Sequence, residues 1–493
     1  MLKSTLLDII RTFSKDELNK FEDFVRSPYF NKKENVLSLF LEIRKYFPDF
    51  NSPELERELT WSKLFPGKEF NYGIMKNMIY DLGKLGEKYI TLEFYNKNKL
   101  NMFHDLLADL DNRNIEKILS TKLLSFEKHF NIENAKNSNL STSDYYYFLS
   151  KIYWIKIFNS YRNVNSGYEK ERNPGSDYMI YNFLINLFKV FDNFRVLKFN
   201  ENKDDNSNII YLFLDLINED VMKKVLEYSR ADSENNYKIL NCYYSMYKSV
   251  CSFENADLYF NFKSSLSDTS NLITENDYRS LCINLHNSLI NQKSNIINKE
   301  KEVVDIYNMM IEKNIFIEKN GVLEDNMFNN YILNLSGIPD AVTMEAFITK
   351  FINKLLPDKR ESSYNFGMAH LNFVKGNYNE SLEFISKIDF GYFALKYYVR
   401  NLQMMNYYEL NDYESFVFAF DSYKHFTNKN KNIAEVWKTR TSAFYNATKS
   451  LFQLRNDFDE YAFHILKKEI TGSFPAKKLW LMRKLDEIER NNK

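Results

Sequence analysis

The groups in this 493-residue chain that could do chemistry are six histidines, three cysteines and an abundance of carboxylates, and their spacing decides what they can do. A metal site needs ligands that converge at helical or loop spacing. His104, His129, His286, His370, His425 and His464 are never paired at ligand spacing on one helix. "DLLADLDNRN" (105–114) sets Asp109 and Asp111 like the opening of a calcium loop, but Arg113 takes a ligand position and the turn glycine is missing. "GKLGEKY" (83–89) has glycines and a lysine without phosphate-loop spacing, inside an apolar helical pattern. Asp204 and Asp205 read as solvated loop charges, so no general acid–base pair is named. Cys242, Cys251 and Cys282 form no Cys-x-x-Cys and lie among apolar residues, which predicts buried, reduced thiols rather than a disulfide frame. No catalytic, cofactor or metal residue is therefore assigned. Tyr145, Tyr146, Tyr147, Phe148, Tyr153 and Trp154 offer faces for stacking bases, but their spread around a helix reads as core packing.

The elements that would carry any site are helices. Hydrophobic residues make up 44% of the chain, with 42 Phe and 35 Tyr, so a large core can form. Only 12 Gly and 8 Pro are present, too few for the tight turns of a sheet protein. Lys and Arg total 66 and Asp and Glu total 66, a balance that supplies no global field for nucleic acid or an anionic membrane surface. The most apolar run, "YMIYNFLINLF" (178–188), falls well short of the roughly 20 residues of a membrane span. The opening "MLKSTLLDIIRTFSKDEL" mixes charge into its apolar residues too closely for a signal peptide. A cytoplasmic protein without a membrane partner is expected.

Three segments are expected: an N-terminal helical domain (1–100), an irregular helical array (101–337) and a more regular C-terminal part (338–493). "SKDE" at 14–17 is a capping box, and Pro28 should end the helix that follows. Ser52–Pro53 reads as another helix start, before an amphipathic helix whose inner face is Ile74, Met78, Ile79, Leu82, Leu85 and Tyr89. Gly83 and Gly86 inside that helix would let another helix come close. Ser141 with Asp144, and Thr274 with Asp277, are further capping boxes. The polar stretches 162–177 and 199–208 break the helical pattern; the first, containing Gly and Pro, is the best candidate for a functional insertion.

The C-terminal part carries a repeat. In "SYNFGMAHLNFVKGNYNESLEFISKI", Gly376 should end one helix in the left-handed conformation, and Tyr378 should start the next and pack across the elbow. Ser381 is small enough for the two helices to approach. Asn411 and Tyr413 repeat the plan 35 residues on (411 − 376), and asparagine is the next-best residue for a left-handed corner. This spacing resembles the tetratricopeptide repeat, whose turn reads Gly-x-Tyr-x-x-Ala and whose period is about 34 residues. Met404 and Phe416 depart from the small residues of that pattern. The chain as a whole also resembles long all-helical bacterial proteins that open like "FEDFVRSPYFN" here, a likeness that implies no reaction.

The resemblance implies an all-α fold, an α-solenoid of antiparallel helix hairpins that is tetratricopeptide-like toward the C-terminus, closed by a capping helix with Trp480, Leu481 and Leu485 inward. It also implies a non-enzymatic scaffold or adaptor whose concave face holds a protein or peptide, with no cofactor. Carried onto this chain, the inner positions are Phe366, His370, Phe373, Asn401, Met405 and Tyr408. Their apolar character suits an apolar segment or helix, if they line an open groove; the other reading buries them against the next helix. Two rivals stand beside the scaffold: a regulator with a nucleic-acid-binding head, and an enzyme whose site gathers distant residues.

Overall fold

The structure, a computed structural model, describes residues 4–129, 140–162, 174–201, 209–292, 297–318, 320–338, 340–389, 393–429, 435–473 and 475–492. Among the described residues the chain is all-helical, with 24 α-helices and no strand. Most of the 162–177 stretch and of the 199–208 stretch lies outside them; Pro174 to Asp177 open the helix Pro174–Glu201.

Helix starts follow local side-chain chemistry. Ser14 Oγ accepts from the Glu17 amide at 3.2 Å and Glu17 Oε2 accepts from the Ser14 amide at 2.8 Å, closing the capping box. Ser141 and Asp144 form the same reciprocal pair at 3.1 and 3.4 Å. Asparagine does this work where no Ser or Thr stands: Asn71, Asn98, Asn218 and Asn298 each accept from the amide three residues on, at 3.0–3.1 Å. Ser27 is extended before Pro28, as expected. Ser52–Pro53, by contrast, opens only the single 3-10 turn Pro53–Leu55.

Helix ends use the left-handed conformation. Gly376 has φ 83° and Asn411 φ 58°. At the first corner the Asn377 amide donates to Asn372 O at 2.9 Å and the Gly376 amide to Phe373 O at 3.1 Å. At the second, Asp412 donates to Tyr407 O at 2.9 Å and Asn411 to Tyr408 O at 3.1 Å, the same paired closure. Asn114 and Asn314, both at φ 56°, close two more helices the same way. A chain short of glycine thus turns three of these four corners with asparagine, whose short polar side chain tolerates this region best after glycine.

The contacts divide the chain into two compact units, which do not coincide with the three expected segments. The first holds residues 4–129, 140 and 151–162. Leu18, Phe21 and Val25 of helix Lys15–Arg26 and Leu39, Phe40 and Ile43 of helix Glu34–Arg44 share a core with Met75, Leu82 and Tyr89 of the long helix Tyr72–Lys97. Ile74 is 45% exposed, and Met75 takes the inward position expected of it. Helix Thr5–Ile10 crosses the long helix at its glycines, where a Cβ on Gly86 would stand 3.3 Å from Ile9 Cγ2.

The second unit holds residues 141–150 and the described residues from 174 on. From Glu219–Asp232 to Lys478–Asn491, its helices pack on their neighbours in sequence. Alternate helices also touch: Asp325–Leu335 packs on Pro357–Lys375, which packs on Phe393–Glu409, which packs on Glu435–Asn456. At the Gly376 corner, Phe373 and Tyr378 meet with ring centroids 5.7 Å apart. Ser381 Oγ donates to Ala369 O at 2.8 Å and accepts from Asn406 Nδ2 at 3.0 Å, so the small residue also pins a third helix. Met404 and Phe416 are fully buried; Phe416 stacks on Tyr445 at 5.0 Å.

Asp277 exceeds the capping role expected of it. Its buried carboxylate accepts from Thr142 N and Oγ1 and, at 2.7 Å, from Lys189 Nζ, joining the start of Thr142–Arg162, Pro174–Glu201 and Glu275–Asn291. Burial alone would raise its pKa; the Lys189 ammonium and the Thr142 hydrogen bonds outweigh it and hold the carboxyl below the ordinary aspartate value.

Two outcomes follow. Gly376→Ala and Asn411→Ala should each lower unfolding free energy by about 1 kcal/mol in urea titrations, while Asn411→Gly is neutral or stabilising. Equal stability of the alanine variants would contradict the corner geometry. Asp277→Asn should cost about 3 kcal/mol at pH 7. Because the folded-state pKa is lowered, this contribution is fully present above the unfolded value near 4 and is lost as pH falls through the lower folded-state value, so wild-type and variant urea midpoints should draw together as pH is taken below about 4.

Candidate functional site

All six residues expected to line a groove are interior. Phe366, His370 and Phe373 on Pro357–Lys375 and Asn401, Met405 and Tyr408 on Phe393–Glu409 are each no more than 8% exposed. They form no open groove; the alternative, burial against neighbouring helices, is what the packing produces. Tyr408 makes the physical reason plain, since its ring is covered by Phe452 at 4.9 Å and by Trp480 at 5.2 Å.

Trp480 belongs to the helix Lys478–Asn491, whose inner stripe of Trp480, Leu481, Leu485 and Ile488 is buried. The expected inward set is therefore present, but the helix does more than close an end. Trp480 Nε1 donates to Glu409 Oε1 at 3.0 Å, and Lys484 Nζ donates to Glu409 Oε2 at 2.9 Å. Arg483 Nη1 donates to Gly337 O at 3.1 Å, and the Ala476 amide to Arg440 O at 3.0 Å. Burial would lower the Lys484 pKa, but hydrogen bonds and charge from Glu409 and Glu487 hold it above ordinary lysine. One glutamate thus carries both polar anchors on one side of the helix, and a backbone carbonyl carries the other.

Where this segment enters, a cavity of about 150 Å³ opens. Lys299, Arg440, Lys477 and Arg483 line it, against the single carboxylate of Glu300. Asn401 and Met405 are the two expected groove residues that reach it. Gly337 stands at its wall because a Cβ there would fall 2.7 Å from Glu300 Cγ. Burial pushes Lys477 down to about 8; Glu300 opposes this and Arg483 adds to it. Burial likewise brings Lys299 down to about 8, with Arg440 adding to the effect. His286, also in the wall, is held neutral by burial, at about 4. Asn401 is fully buried, with neither side-chain amide atom in a well-aligned hydrogen bond, and His370 likewise leaves both ring nitrogens without a partner. Lys477 itself occupies the left-handed region at φ 53°, where a long side chain is strained.

A second cavity, about 440 Å³, lies along Glu219–Asp232 and Glu234–Cys251. Its acids Glu219, Asp220 and Glu227 are matched by Lys223, Arg230 and Lys248, with Lys248 paired to Glu219. Its charges face a matching opposite set, so it presents no convergent group.

Among the described residues no cluster of three or more His, Cys, Asp or Glu is placed to hold a metal, and no helix is long and apolar enough to cross a membrane. Cys242 and Cys282 are buried and pushed up to about 12 by burial, which keeps them protonated and inert. Cys251 is exposed, contrary to expectation, because it ends its helix at the surface.

The cationic cavity is invisible in the sequence. Lys299, Arg440, Lys477 and Arg483 stand as far as 184 residues apart (483 − 299), and each belongs to an ordinary amphipathic pattern. Only "PAKKLW", with two adjacent lysines separated from Trp480 by Leu479 alone, offered a local signal. No protein-family model, curated protein or solved structure matches the chain.

Glu409→Ala should leave the Trp480 indole without its acceptor and Lys484 with Glu487 alone, costing about 2 kcal/mol in chemical denaturation. Glu409→Gln should cost less, since it keeps an acceptor for Trp480. Equal losses would show that the polar anchor is not what holds the helix.

Proposed function

We propose that the protein is a non-enzymatic helical-repeat scaffold, tetratricopeptide-like toward its C-terminus, whose inner layer of alternate helices grips an amphipathic helix of a protein partner. The observation that carries this reading is the helix Lys478–Asn491 itself: buried Trp480, Leu481 and Leu485 on one face, with Glu409 capturing Trp480 and Lys484. A surface that holds one amphipathic helix by an apolar stripe and a single acidic anchor holds another of the same pattern. The contacts between alternate helices supply the stacked layer such a scaffold needs. A partner helix would place an aromatic residue and, four residues on, a lysine against Glu409, as Trp480 and Lys484 do. On this reading the C-terminal helix is a built-in competitor. It lowers partner affinity by the fraction of time it stays docked.

A peptide of residues 475–493 added to a chain carrying Leu481→Asp and Leu485→Asp tests this. With the fold confirmed by circular dichroism, saturable fluorescence-anisotropy binding is expected, weakened at least tenfold by adding Glu409→Gln. A folded chain that binds no peptide overturns the reading. So does a cellular partner whose capture survives excess peptide, because that contact then lies elsewhere.

A further inference from the structure

Four cations and one carboxylate line a cavity of about 150 Å³ in a chain whose charges balance as a whole, 66 against 66. Like charges gathered out of water repel, and the arrangement is relieved either by a lysine giving up its proton or by an opposite charge; the latter keeps all four groups charged. Among the described residues none of Arg440, Lys477 and Arg483 makes an ion pair: Arg483 reaches the Gly337 carbonyl, and Arg440 Nε has no hydrogen-bond partner. Lys299 places its ammonium on the carbonyls of Ile290 and Gln292. The helix Lys478–Asn491 begins at this cavity with no side-chain cap, so its first amides add donors and the positive end of its dipole. Independently, the fully buried Asn401 stands in the wall with no well-aligned hydrogen bond to its amide, the neighbouring Tyr397 hydroxyl being the group within reach.

We propose that this cavity is a binding site for hydrogen phosphate, free or as the head of a small phosphomonoester, clasped between Lys477 and Arg483 of the C-terminal segment and Lys299 and Arg440 of the helices behind it. Size and charge select this class. The volume is below the roughly 300 Å³ at which pockets for drug-sized ligands begin, and four cations suit a compact oxyanion. Arginine forks match its paired oxygens. Glu300 is the discriminating residue: it accepts a hydrogen bond from the hydroxyl of inorganic phosphate, or of a phosphomonoester bound in its singly protonated form, but repels an oxyanion that has no proton to donate, such as sulfate. The bound anion bridges the C-terminal segment to the rest of the unit, so it tightens the docking of that helix.

The test is calorimetric titration of the intact full-length chain at pH 7, at constant ionic strength set with sodium chloride. Inorganic phosphate should bind saturably, with sulfate at least tenfold weaker. Glycerol phosphate in a parallel arm decides the source, since binding by the ester alone assigns a phosphomonoester and binding by both assigns the group itself. Arg440→Gln and Lys477→Gln should each weaken binding at least tenfold, whereas Lys375→Gln, exposed and outside the cavity, leaves it unchanged. Should Lys477→Gln not fold, Asn401→Leu, which keeps the side chain's shape, is expected to weaken binding in its place. No saturable heat from any phosphate, equal affinity for sulfate, or affinity indifferent to Arg440→Gln overturns the proposal. No partner helix enters this titration, so its failure and that of the scaffold reading are separately visible.

Discussion

Glu409 is the interaction on which the C-terminal architecture turns. Its two oxygens take the Trp480 indole and the Lys484 ammonium, and those two bonds orient the helix Lys478–Asn491 so that its apolar stripe lies on Tyr408, Phe444 and their neighbours. An apolar stripe alone is non-directional and would allow the helix to slide or rotate. The acidic anchor on one side and the Gly337 carbonyl on the other define one register. The same placement draws Lys477 and Arg483 toward Lys299 and Arg440, so the cationic cavity is a consequence of how that helix is held.

The corners do the complementary work. A helix pair that must turn back within two or three residues needs one residue in the left-handed region, and this chain supplies it with Gly376, Asn114 and Asn411, while Asn314 ends a helix ahead of a longer connection. Asparagine accepts the geometry at a modest energetic cost and loses less chain entropy on folding than glycine does. With the corners set, single small side chains determine spacing. Ser381 lets its helix approach Ala369 and then bonds Asn406 of the next helix, while Phe416 at the equivalent position is buried by stacking on Tyr445. Equivalent corners therefore carry unequal packing, and the repeat is regular in backbone and irregular in its core.

The burial of Phe366, His370, Phe373, Asn401, Met405 and Tyr408 reshapes what the inner layer can do. Tyr408 lies under Trp480 of the docked helix, Phe366 packs on His370 and Phe373 on Tyr378, and the chemically distinctive groups lie at that helix's start. Asp277 shows the same logic in the earlier helices of that unit. A capping carboxylate there is taken over by Thr142 and Lys189, far along the chain, and becomes the junction of three helices.

How much was legible in the sequence follows from the range of the forces involved. Helix class, the capping boxes at Ser14 and Ser141, the one-way cap at Thr274, the corners at Gly376 and Asn411 and the inward face of Trp480, Leu481 and Leu485 all rest on interactions within a few residues, which local patterning encodes. The exposure of the inner layer, the capture of Trp480 by Glu409 71 residues away and the gathering of four cations around Glu300 rest on contacts between distant helices. A side chain's neighbours across such distances depend on how every intervening helix packs. The sequence by itself determined which segments are helices and where they turn; only tertiary packing decided which faces are covered and which stay open, because burial is a property of the assembled layers and not of any one of them.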